Sequence, residues 1–269
     1  DEDGDELEAD DINVERQRVA SRALGDVVLK IGDRVIPELM PLLQEAFDNG
    51  DEATRVGVCL GLAEVCGATP QRQATEKLDL LAPPVVEALC GPNASPRITA
   101  HAAMAFHALH GQAGPRAVEE VVPEVLRRLD DDSDDRGATR ARGALREICR
   151  RRARELLTGV IPQLLKRPMS ERRADALGAV ADVAAAALRP FVATVVRAAL
   201  AELGAETEHA EAVAGGAAAV AAAVAAGGDA SAAVGPLASP FADNAKAPLR
   251  RDASTLAAAF FRACDDRCD

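Results

Sequence analysis

The chain has 269 residues, a formal net charge of −12 and 2% aromatic residues, with no Trp and no Tyr. So few aromatic side chains argue against a β-sandwich or barrel, and against a surface on which single-stranded bases stack. Ala, Leu, Glu and Arg dominate and favour helix, so an all-α chain is expected, long enough for two compact domains or one extended array.

Taken in order, residues 1–11 (DEDGDELEADD) hold eight acids and no base, which leaves only −4 on the rest. This stretch is expected to be a disordered, solvated linker, ahead of an ordered array over 12–269. The absence of an initiator Met points to an excerpt from a longer chain.

Glu15–Phe47 reads as a helix, a corner at Gly32-Asp33, and a second helix. In the first, Val19, Ala23, Val27 and Ile31 recur at i, i+4 and predict the buried stripe, with Leu24 and Val28 beside it. The second carries Val35, Ile36, Leu39, Met40, Leu42 and Leu43, too apolar for a lone surface helix. Two such helices cannot close a core, so the unit must recur.

It does. Aligning one helix of each pair gives Arg18, Arg55, Arg97, Arg140, Arg173, Glu211 and Arg251, six of the seven basic, at intervals of 37, 42, 43, 33, 38 and 40 residues. The partner helix carries an apolar residue followed by Pro: Ile36-Pro37, Ala82-Pro83, Val122-Pro123, Ile161-Pro162, and less clearly Gly235-Pro236. Pro is tolerated in a first helical turn, whose N–H groups lack intrahelical partners. Asp51, Ser95, Asp135 and Ser170 are the expected N-caps of the second helices. A period near 40 is that of HEAT and armadillo repeats. The predicted fold is an α-solenoid of about seven helical pairs, each burying its apolar face on the next. GVCLGLAEVC (57–66) is apolar enough to be a fully covered second helix.

After Ala174 the composition drifts to Ala and Gly. Alanine buries little area, so 174–269 is expected to be held less firmly than 15–166. Residues 212–235 read as thin helices rather than a low-complexity linker, because the period runs through them.

No catalytic, cofactor or small-molecule site is legible: there is no GxGxxG, phosphate-binding loop or GxSxG. His101, His107, His110 and His209 are each followed by Ala or Gly, without the acidic neighbour that a di-iron HEAT enzyme places after its histidines. They read as ordinary, partly exposed histidines, and no metal is expected. Cys59, Cys66, Cys90, Cys149, Cys264 and Cys268 have no zinc spacing and read as small buried hydrophobes, with Cys264 and Cys268 able to meet at i, i+4. No unbroken membrane-length apolar run is found and no membrane partner is expected; a soluble cytoplasmic protein is.

Two basic features remain. The arginines at 18, 55, 97, 140, 173 and 251 read first as a structural ladder pairing with loop acids of the adjacent repeat, and otherwise as a ligand-facing ridge. Seven arginines crowd residues 140–154, where Arg142, Arg146 and Arg150 share a face and Arg151, Arg152 and Arg154 follow. This strip is either a solvated face balanced by DDDSDD, or a contact for an acidic partner, RNA phosphate or an acidic protein surface.

ERQRVASRALGDVVLKIGDRVIPELMPLLQEAF, TRVGVCLGLAEV, the ALC-x-P helix end and VEEVVPEVLRRLDDD resemble the large HEAT-repeat translational activator of general amino-acid control. VIPQLLKRPMSERRADAL and VATVVRAALAEL carry the resemblance onward, over about residues 12–264. The resemblance implies a non-catalytic scaffold in the amino-acid starvation response. It would contact ribosomes and help to activate the kinase of initiation factor 2 alpha through the kinase's N-terminal domain. This chain would be a segment of the C-terminal half, upstream of or entering the kinase-binding part. The other class of reading is a transport or phosphatase-type HEAT adaptor that grips a protein in its concave face.

Overall fold

A computed structural model describes residues 2–131, 133–205, 208–228, 230–238 and 247–265. All regular structure among them is helical. Contacts divide the chain into one unit up to Val125 and a second from Leu126, a boundary that falls inside a helix.

The first unit holds α1 (Glu2–Ile31), α2 (Ile36–Asn49), α3 (Glu52–Ala68), the short α4 (Gln71–Glu76), α5 (Leu78–Cys90), α6 (Pro96–Ala113) and the start of α7 (Pro115–Leu129). The α1–α2 corner turns on Gly32 at φ 82°, a left-handed conformation that glycine takes without strain, and a 3-10 turn, Asp33–Val35, follows. One layer runs α1 on α3 on α6, a second runs α2 on α5, and α5 packs on α6 across them. Elements close in sequence are thus the ones in contact, as stacked two-helix repeats require. Inside α3, Val58, Cys59, Gly61, Leu62, Val65 and Cys66 are buried, as a helix flanked on both sides must be.

One expectation is revised here. Helix α1 is continuous from Glu2 to Ile31. The buried face of α1 is Ser21, Gly25 and Val28, while Val19, Val27, Ile31 and Leu29 are exposed. Small residues let α1 and α3 approach closely: a methyl placed on Gly25 would lie 3.3 Å from Glu64 Cβ, and one on Gly57 would lie 3.3 Å from Gln17 Cγ. Gln17 Nε2 also donates to the Ala53 carbonyl at 2.9 Å. Backbone proximity, not the bulkiest apolar stripe, selects this face.

The second unit holds α8 (Asp135–Leu164), α9 (Glu171–Leu188), α10 (Val192–Leu203), α11 (Ala210–Ala226), α12 (Ala230–Ala238) and α13 (Ala247–Asp265). Here α8, α9, α11 and α13 form one layer in that order, while α10 and α12 pack on each other and on the layer. Helix α8 is two repeat helices in one run, broken at Arg152 (φ −135°, ψ 42°). The low-complexity stretch 212–226 is helix, and Val213, Ala214, Gly216–Ala218 and Val220–Val224 are buried in it. A Cβ on Gly216 would stand 2.4 Å from the Ala174 carbonyl oxygen, so α9 and α11 meet backbone to backbone.

Prolines sit deeper than expected. Pro37 lies in the first turn of α2, but Pro83, Pro123, Pro162 and Pro236 are inside their helices. By length and composition one stretch, Glu171–Leu203, is long and apolar enough to cross a membrane, where none is expected from sequence. It is not one straight helix: Ala184 leaves helical geometry and Arg189–Phe191 is a 3-10 turn. Leu177, Val180, Leu188, Val192 and Val195 along it are buried within the second unit.

Candidate functional site

The N-caps set where each second helix begins. Asp51 accepts from Thr54 N at 2.8 Å, Ser95 from Ile98 N at 3.3 Å and Ser170 from Arg173 N at 3.3 Å. Between them the cap is Asp134, not Asp135, accepting from Gly137 N at 2.8 Å. The carboxyl of Asp51 is held below its ordinary range first by its hydrogen bond with Thr54. Asp131 is lowered in the same way by Ser133.

Counting from these caps, the aligned arginines do not occupy one register. Arg55, four residues past its cap, turns back to the end of α2, donating Nε to Phe47 O at 2.9 Å and a second nitrogen to Asp48 O at 3.2 Å. Arg173, three past its cap, donates to Gln163 O at 3.4 Å and Lys166 O at 3.1 Å. Both guanidinia thus satisfy helix C-terminal carbonyls and meet the negative end of the dipole. In the intervening repeat that role belongs to Thr99, whose Oγ1 donates to Leu89 O at 3.0 Å, while Arg97 is exposed. Arg140 pairs with its own cap, Asp134, at 3.2 Å, Arg18 pairs with Glu15 at 3.7 Å, and Arg251 is an exposed residue of α13. Arginine at a fixed sequence period is therefore not arginine at a fixed structural position.

Around the N-terminus of α9 the charges interlock. Arg173 Nε reaches both Asp130 oxygens at 2.9 Å, Ser170 Oγ donates to the same carboxylate at 3.2 Å, and Arg172 pairs with Asp135 at 2.6 Å. Asp130, Asp135, Lys166, Arg167, Arg172 and Arg173 help to line an open cleft of about 640 Å³. Among the described residues Asp134 pairs with Arg140, Asp135 with Arg172 and Asp130 with Arg173, so of the strip expected to be balanced by DDDSDD only Arg140 is paired there. Arg167 and Glu202, missed from sequence, also pair here, at 2.6 Å.

The basic strip divides in two. Arg142 is half-buried and reaches across to Asp175 on α9 at 3.3 Å. Arg146 and Arg150 lie exposed further along α8, Arg150 pairing with Glu147 at 2.9 Å. At the break in α8, Arg150, Arg151, Arg152 and Arg154 face a groove of about 510 Å³ whose other wall is Asp182–Ala187 of α9. Arg152 pairs with Glu155 at 3.3 Å.

Histidines and thiols are placed by packing. His101 Nδ1 lies 2.8 Å from the Arg97 carbonyl; His107, expected to be partly exposed, is buried with its ring centroid 5.7 Å from that of Phe106. Among the described residues no three His, Cys, Asp or Glu side chains gather as a metal would need. Cys59, Cys66, Cys90 and Cys149 are buried, the Cys90 thiol donating to Val86 O at 3.4 Å, and Cys264 is half-buried; Cys268, proposed from spacing to meet Cys264, lies outside the described residues. Burial pushes the thiols of Cys59, Cys66 and Cys149 up to about 12.

Two-helix units in sequential contact, tied by capped second helices, define an α-helical repeat protein of the HEAT and armadillo class. Residues 156–266 match the family described as "Stalled ribosome sensor GCN1-like, HEAT repeats". The eIF-2-alpha kinase activator GCN1 of Dictyostelium discoideum is 33% identical over 184 residues, 68% of this chain and 7% of that protein. The stalled ribosome sensor GCN1 of Homo sapiens is 31% identical over 167 residues, 62% of this chain and 6% of that protein. The eIF-2-alpha kinase activator GCN1 of Saccharomyces cerevisiae is 30% identical over 175 residues, 64% of this chain and 6% of that protein. Residues 156–266 therefore belong to the GCN1-like HEAT repeats, and the chain is similar to GCN1 proteins over about two thirds of its length. It spans 6–7% of the length of these relatives.

Proposed function

We propose that this chain is part of a non-catalytic, cytoplasmic scaffold of translational control, whose repeats bind ribosomes and help to activate the kinase of initiation factor 2 alpha. The observation that carries the reading is similarity to GCN1 proteins over 62–68% of the chain, relatives whose names are stalled ribosome sensor and eIF-2-alpha kinase activator. The architecture suits the role: within each unit, helix pairs packed in sequence leave helix faces and corners exposed, as a binding surface requires.

The test is sedimentation of the tagged chain with purified ribosomes at low and high salt, beside capture by the N-terminal domain of the kinase. Co-sedimentation that weakens with salt supports ribosome contact, and capture supports a direct part in kinase activation. A chain that stays in the supernatant and is not captured removes the reading and leaves the fold alone.

A further inference from the structure

We infer that the groove at the broken corner of α8 is a contact site for the phosphate backbone of structured RNA, with Arg151 and Arg154 as its principal ligands. The inference rests on the ribosome-binding reading for its biological setting, but its chemistry stands on the corner itself. Successive residues of a regular helix point about 100° apart, so side chains at 150, 151, 152 and 154 of an unbroken helix would fan round more than half its circumference. Arg152 leaves helical geometry, and all four of these arginines then line one groove. The break thus converts a basic run into a concave basic surface.

The acids nearby leave the site positive. Arg150 is paired with Glu147 and Arg152 with Glu155, and Asp182 stands on the facing wall. Arg151 and Arg154 are exposed and make no hydrogen bond or ion pair with the described residues. Across the groove Val183 and Ala184–Ala187 present small apolar side chains, which neither compete for the guanidinia nor block close approach. In a chain of net charge −12, such a patch marks a specific electropositive place rather than a general affinity for anions.

Phosphate oxygens suit the planar guanidinium fork. Structured RNA is favoured over an acidic protein segment, because the facing wall of alanines offers no deep apolar pocket to anchor a peptide side chain. It is favoured over single-stranded RNA because the chain has no Trp or Tyr on which to stack bases. Recognition would follow backbone and shape, with little sequence preference.

The test measures binding of a fluorescein-labelled 20-base-pair RNA duplex by anisotropy across a salt series, with an equally charged poly-glutamate peptide beside it. The full chain is expected to bind the duplex with affinity falling steeply as salt rises, and the peptide at least tenfold more weakly. Arg151→Glu with Arg154→Glu should lower duplex affinity roughly tenfold or more and flatten the log–log salt slope by about two. Arg22→Glu with Arg72→Glu, the same change of net charge on exposed residues elsewhere, should lower it less than threefold. Equal loss in both double variants, stronger peptide binding, or no duplex binding would each overturn the inference. Ribosome sedimentation run in parallel separates the two readings. Ribosome binding without duplex binding sinks only the groove, and duplex binding without ribosome binding sinks only the ribosome contact of the proposed function.

Discussion

Arg167 and Glu202, 35 residues apart in sequence, hold each other at 2.6 Å, the carboxylate 3% exposed and the guanidinium reaching in from the surface. A second Arg167 nitrogen donates to Ala201 O at 3.0 Å. The end of α10 is thereby fastened to the segment that precedes α9.

The pair is asymmetric, and so are its expected variants. Arg167→Ala strands a buried carboxylate and should cost about 2 kcal/mol in urea unfolding, less than the 3–5 kcal/mol typical of wholly buried pairs because the arginine is half in water. Glu202→Leu releases Arg167 to solvent and should cost less than half as much. Equal losses would show that the contact itself, rather than the stranded charge, governs stability.

Adjacent glycines in α11 should respond in opposite directions. Gly216→Val forces a side chain against the Ala174 backbone and should destabilise by about 1–3 kcal/mol through overpacking. Gly215→Ala meets nothing within 4 Å and should stabilise by up to about 1 kcal/mol, since alanine orders a helix more readily than glycine. Thermal unfolding followed by circular dichroism reads both.

The repeat register can be probed at Thr99. Thr99→Val removes the donor to Leu89 O and should cost about 1 kcal/mol, whereas Arg97→Ala, on an exposed side chain, should stay within about 0.5 kcal/mol. The reverse order would restore Arg97 to the ladder.

The buried thiols give a pH dependence of known sign. Cys59, Cys66 and Cys149 are raised from 9.0 to about 12. Below pH 9 they are protonated both folded and unfolded; from there upward the unfolded chain loses protons that the folded chain keeps. Stability should therefore fall above pH 9, and fall less in the triple Cys→Ala variant compared at matched starting stability. Native protein at pH 8 should alkylate Cys264 before these three.

Arg146→Glu with Arg150→Glu should weaken ribosome co-sedimentation severalfold at low salt while the melting temperature moves little, because both side chains are exposed. Unchanged sedimentation would leave Arg146 to solvent and Arg150 to its pair with Glu147.

The helical class, the two-helix repeat and its period near 40 were legible in the sequence because they follow from apolar periodicity and capping residues, which are local. Asp51, Ser95 and Ser170 cap where expected, and 212–226 is helix. The face of α1 was misread because apolar bulk marks Val19 and Val27, whereas packing distance is set by Ser21 and Gly25. The arginine register was misread because Thr99 performs with a hydroxyl what Arg55 performs with a guanidinium. The break at Arg152 had no marker, since nothing in CRRRAREL signals a corner. Arg167 and Glu202 were invisible for a different reason: a contact across 35 residues leaves no local pattern.

The backbone contact between α9 and α11 has a thermodynamic consequence. Alanine surrenders almost no rotamer freedom when it packs, so the Ala-rich helices need little buried area to stay ordered. Because that area is small, their melting should release little hydration heat capacity, below the usual 12–15 cal/mol/K per residue. Calorimetry would then find a shallow stability curve for this part of the chain, one that varies gently with temperature even where its maximum is low.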